Sequence, residues 1–171
     1  FNFKGNAKLG FIGDSSLAVG AKIYDLILKS RMGSAQVKQM SASVSTPVTE
    51  IDTTKVIPLD CKFALEEAKV IIGDTIRAYS QKTEASVGVR PSKMNVKKPV
   101  FDLYLRTDSL FMKANETRIG MDLAGFKIST FQGRDSLWHP KGTIGFNRLF
   151  FSTPEFGLPI RMQKTEVAFE R

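Results

Sequence analysis

Asp102-Leu103-Tyr104-Leu105-Arg106-Thr107-Asp108-Ser109-Leu110-Phe111-Met112-Lys113, then Ala114-Asn115-Glu116-Thr117, then Arg118-Ile119-Gly120-Met121-Asp122-Leu123-Ala124-Gly125, is the stretch on which the fold turns. Phe101, Leu103 and Leu105 alternate with Asp102, Tyr104 and Arg106. Ile119, Met121 and Leu123 alternate with Gly120, Asp122 and Ala124. A period of two places each set on one face of a strand. The Asn-containing segment between the arms supplies the backbone angles of a reversal. An arm of about ten residues spans about 33 Å. Long arms with one apolar and one mixed face describe an antiparallel sheet wetted on one side.

The same layout recurs in four units, at 19–46, 61–89, 100–129 and 143–171. Their expected turns are Arg31-Met32-Gly33-Ser34, Gly73-Asp74, Ala114 to Thr117, and Thr153-Pro154-Glu155-Phe156-Gly157. Pro58, Pro99 and Pro140 keep a constant step (99 − 58 = 41; 140 − 99 = 41). Gln81-Lys82-Thr83-Glu84 returns as Gln163-Lys164-Thr165-Glu166, at twice that step (163 − 81 = 82). A fixed period of a few tens of residues marks one supersecondary unit stacked on the next. Pro47, Pro58, Pro91, Pro99 and Pro140 fall between units, where no ladder bond is lost. The second unit has two readings. Ala, Leu and Glu between Phe63 and Ala78 suit a helix, whereas Val70, Ile71, Ile72, Thr75 and Ile76 suit a strand. The repeat register selects the strand. The expected fold is mostly β: a curved antiparallel sheet of repeated hairpins, a groove or partly open barrel with at most one or two short helices, forming one domain over 1–171.

The totals narrow the functions. At 171 residues and 42% hydrophobic content the chain can bury a core. No apolar run reaches the length of a membrane span. The opening Phe1-Asn2-Phe3-Lys4 reads as the inside of a strand, which suggests a piece of a larger protein. Cys61 is the only cysteine, which excludes an internal disulfide and a Cys-based zinc site. His139 is the only histidine, which excludes His-rich metal sites and all but excludes a catalytic triad. A formal charge of +8 favours acidic partners, such as anionic lipid or a membrane surface, or reflects a solvated surface with surplus lysines. No basic cluster interleaved with aromatics suggests nucleic acid, and no metal or cofactor is expected.

Phe11-Ile12-Gly13-Asp14-Ser15-Ser16-Leu17 resembles the Gly-Asp-Ser block of SGNH (GDSL-type) esterases, whose nucleophile is that Ser. Those enzymes close their triad with Asp-x-x-His. Here Asp135-Ser136-Leu137-Trp138-His139 separates the two by four steps. The family's Gly-x-Asn-Asp block, which supplies oxyanion-hole donors, has no counterpart. Asp-Ser-Leu also recurs at Asp108-Ser109-Leu110, which suits a turn or strand edge. Glu66-Glu67 are adjacent and do not converge on a point. The expectation is no enzyme.

The apolar faces carry the remaining signal. Phe63, Leu65, Phe101, Leu103, Leu105, Ile119, Met121, Leu123, Ile144 and Phe146 are the candidate lipid-groove residues. They line either an open groove that suits acyl chains or an ordinary core under a covering layer. The hairpin unit from Asp102 to Gly125 resembles those of the AsmA-like and TamB-like proteins of Gram-negative envelopes, loosely over most of the chain from Val19 onward. The resemblance implies a β-taco groove in the periplasm, anchored to the inner membrane in the full-length protein. It further implies phospholipid transport and outer-membrane assembly without catalytic residues. A structural or adhesive β-repeat with a closed core is the alternative, and an SGNH-type esterase the third reading.

Overall fold

Alternation dominates the chain, and strands follow from it. The computed structural model describes residues 2–11, 17–47, 54–135 and 137–170. Among these residues are nine strands: β1 (Asn2–Phe11), β2 (Leu17–Ser30), β3 (Gly33–Thr46), β4 (Leu59–Ile72), β5 (Ile76–Pro91), β6 (Pro99–Ala114), β7 (Thr117–Gln132), β8 (Trp138–Ser152) and β9 (Ile160–Glu170). They form one antiparallel sheet in sequence order, curved and not closed into a barrel. The one helical element among the described residues is a 3-10 turn, Pro154–Phe156. No helix there is long and apolar enough to cross a membrane. The segment from Phe63 to Ala78 is β4, a turn and the start of β5. Its β-branched residues, paired on both sides, outweigh the helical preference of Ala, Leu and Glu.

The two ends of the sheet differ. Tight reversals at 31–32, 73–75 and 115–116 form a turn end, where Gly73 (φ 54°) and Asn115 (φ 55°) take the left-handed angles such turns require. The longer connections 92–98 and 133–137 form a loop end. Pro91 ends β5 and pairs with Pro99 at the start of β6, and Pro140 is the third residue of β8. These prolines therefore occupy strand ends and not the connections expected for them.

A transverse line crosses the sheet at mid-height. Asp25, Glu67, Ser109 and Arg148, in β2, β4, β6 and β8, have φ of 51°, 48°, 50° and 50°. Their spacing preserves the repeat (67 − 25 = 42; 109 − 67 = 42; 148 − 109 = 39). Lys38, Gln81, Asp122 and Gln163 lie opposite them, and the ladders skip these positions. Left-handed angles are unfavourable for Glu67, Ser109 and Arg148 and better tolerated by Asp25, and a bulge-like break of this kind changes which way the following side chains point. Ser80 and Thr83 show the change directly. Three residues apart, they should face opposite sides of a regular strand. Instead their hydroxyls lie 2.8 Å apart, and each is 3.0 Å from the Thr107 hydroxyl. The line thus separates a loop half and a turn half whose inward parities differ by one.

Little is buried. Ala18 and Leu26 are the buried hydrophobic residues among those described, and no described side chain is fully enclosed. Substantial contacts between elements run between sequence neighbours. This is a single layer.

Candidate functional site

Cross-strand partners share a face, so the pairing register assembles the surface row by row. In the loop half, Ala21, Ala42, Phe63, Ala85, Leu105, Phe126, Ile144 and Val167 stand side by side across β2 to β9. The next row toward the loops is Val19, Val44, Cys61, Val87, Leu103, Ile128, Gly142 and Phe169. Across the line, the turn half continues with Leu28, Ala35, Val70, Ala78, Met112, Ile119, Phe151 and Ile160. The parity change at Ser80/Thr83 puts this third row on the same side as the first two. One face is therefore apolar over both halves.

That face is uncovered. Val44 is 48% exposed, Phe63 38%, Ile144 52% and Val167 59%. Exposed apolar area of this continuity is uncommon on a protein surface.

The sequence-expected residues divide. Phe63, Leu105 and Ile144 share the first row, and Leu103 stands in the second. Leu65 and Phe146 belong to the row containing Thr83 and Thr107, and Phe101 pairs with Val89 beside the loops. Ile119 and Met121 lie beyond the line, on the apolar side. Leu123 does not join them. It pairs with Asp108 and Asn147 on the opposite, polar face. The alternation read through Ile119, Met121 and Leu123 is interrupted at Asp122, opposite the left-handed Ser109. Phe126, Ile128, Val167 and Phe169 belong to the face and were missed. Their alternation along β7 and β9 is the signal that finds them.

The polar face combines small and charged residues. Lys82 pairs with Glu84 at 2.6 Å, Arg106 with Asp108 at 3.0 Å, and Arg90 approaches Asp60 at 3.4 Å and Asp102 at 3.7 Å. On the dividing line Lys38 contacts Glu67 at 2.5 Å, which raises the Lys38 pKa through that hydrogen bond, and Arg148 pairs with Asp122. The repeated tetrapeptide acquires a structural meaning. Lys82 and Lys164, Thr83 and Thr165, and Glu84 and Glu166 fall in the same three transverse rows, two hairpins apart.

Hollows on the polar face lie over its small residues. One of about 580 Å³ has Gly20, Ser41, Ser43, Ala64 and Ser86 beneath it and Lys22, Lys62, Glu84 and Tyr104 around it. Another of about 470 Å³ lies over Gly125 and Gly145. On the apolar side, a hollow of about 290 Å³ sits at the turn end among Leu28, Ala35, Val70 and Ile72. In the loop half the apolar face presents Val44, Phe63, Ile144 and Val167 to solvent.

Among the described residues no cluster of His, Cys, Asp and Glu could hold a metal ion. Asp135 accepts from His139 Nε2 at 3.0 Å, and this bond, ahead of the Leu137 N–H, lowers the Asp135 pKa. Ser15 and its neighbours in the Gly-Asp-Ser block lie outside the described residues. All strand pairings are antiparallel, unlike the parallel sheet of that esterase family. Compared with known proteins, the chain matches no family model, no curated protein and no solved structure.

Proposed function

We propose that this chain belongs to a non-enzymatic cell-envelope protein that holds lipid acyl chains against the apolar face of its open sheet, in support of phospholipid transport or outer-membrane assembly. The observation that carries the proposal is the set of apolar rows across eight consecutive strands, β2 to β9, broken at mid-height by the hydroxyls of Ser80, Thr83, Thr107 and Thr165 and standing in solvent without a second layer. Covering such a face with methylenes recovers about 0.8 kcal/mol for each CH₂ removed from water. The resemblance of the hairpin units to AsmA-like and TamB-like proteins supports the same reading, including a periplasmic location and inner-membrane anchoring of the full-length protein. The sheet needs no moving part to serve this role, because neighbouring rows are equivalent and a chain can slide between them.

The test is native mass spectrometry of the purified chain, joined to titration with a fluorescent fatty acid. Co-eluting phospholipid and saturable binding are expected. Phe63→Ser combined with Ile144→Ser should weaken binding by roughly tenfold or more, from about 1–2 kcal/mol of lost apolar contact. Both side chains are already exposed, so circular dichroism should not change. A lipid-free chain that ignores the fatty acid and dimerises through this face would support the closed-core repeat module instead.

A further inference from the structure

We infer that the loop end of the sheet is a docking surface for an anionic lipid bilayer, separate from the apolar face. Two adjacent connections build it, 92–98 between β5 and β6 and 133–137 between β7 and β8. The Trp138 indole N–H ties them together by donating to the Pro99 carbonyl at 2.8 Å. Loop 92–98 is held in shape. Ser92 is buried; its N–H donates to the Lys98 carbonyl at 2.9 Å, and its hydroxyl accepts from the Met94 N–H at 3.1 Å. The Asn95 carbonyl accepts from the Lys98 N–H, and the Val96 carbonyl from the Val56 N–H, both at 2.9 Å.

This fixed frame nonetheless presents large apolar side chains to water. Met94 is 63% exposed, Leu137 62% and Trp138 53%. Lys93, Lys97 and Arg134 stand exposed among them, with no acidic partner among the described residues. The described acids at this end are engaged, Asp60 by Arg90 and Asp135 by His139. The turn end also exposes apolar residues, Met32 and Leu158, but its connections carry Asp74, Glu116 and Glu155 against Arg31, whereas 92–98 and 133–137 carry Lys93, Lys97, Lys98 and Arg134 against Asp135. Charge therefore selects the loop end for an anionic surface. Apolar tips beside lysines select a bilayer over nucleic acid, which offers nothing to cover Met94 and Leu137. Trp at the boundary of head groups and acyl chains, flanked by cations, is the composition of interfacial anchors.

Trp138 is the only tryptophan, so the protein reports on itself. Its emission is followed while the chain is titrated with phosphatidylcholine vesicles, with and without phosphatidylglycerol. A blue shift is expected with phosphatidylglycerol and not with phosphatidylcholine alone. The variant Lys93→Glu/Lys97→Glu should abolish it, each lysine lost lowering partitioning by at least about fivefold, the equivalent of about 1 kcal/mol. The face variant Phe63→Ser/Ile144→Ser should keep the shift, which separates this surface from lipid held on the sheet. Absence of a shift with anionic vesicles, an equal shift with neutral ones, or a shift that survives the lysine changes would overturn the inference.

Discussion

The loop half and the turn half of the sheet present the same apolar side with opposite parity. In β4 the loop half points Cys61, Phe63 and Leu65 to that side, whereas the turn half points Ala68, Val70 and Ile72. Without a break, one half would turn its apolar residues to the polar face. The left-handed residues at Asp25, Glu67, Ser109 and Arg148 make the exchange at one height in every second strand. Continuity of the apolar face is thus set by backbone conformation on one line, and the side chains on either side only follow.

Deleting Glu67 should break this relation most severely. β4 would then alternate without interruption while β3 and β5 keep their extra residue, so one half must slip by one position and reverse its faces. A loss of about 3 kcal/mol or more in urea unfolding is expected. Changes at Ser109 give a smaller effect whose sign depends on the substituent. Ser109→Val should cost about 1–2 kcal/mol, because a β-branched residue resists a left-handed angle, and Ser109→Gly should gain up to about 1 kcal/mol. Equal thermal shifts for the two variants would mean that the angle at Ser109 is not the source of the parity change.

The hairpins were legible because a period of two and Gly- or Asn-bearing reversals announce them. The repeat was legible as well, and the tetrapeptides at 81–84 and 163–166 proved to be the same rows of the sheet. The dividing line was not. Glu67, Ser109 and Arg148 are ordinary strand residues with no glycine to mark a left-handed angle, so Leu123 was assigned to the wrong face by simple alternation. Nor could the sequence show that the loop half of the apolar face is open. That depends on the sheet remaining a single layer, whereas alternation is the same beneath a covering layer.

The smallest expected effect lies at the loop end. The Asp135 pKa is lowered by its bond to His139, so the stability it contributes is present above the usual carboxylate pKa of about 4 and is lost as pH falls through the lowered value. Thermal unfolding of Asp135→Asn against the parent should therefore show a small deficit near neutrality that vanishes in acid. A deficit independent of pH would remove the carboxylate from the explanation.

Methyl NMR with a spin-labelled stearic acid tests most directly whether one lipid-binding face runs through both halves. Broadening is predicted at Leu105 and Ile144 in the loop half and at Ile119 in the turn half, with Leu123 spared. Broadening of Leu123 along with its neighbours, or confinement of the effect to one half, would contradict a single continuous acyl-binding face.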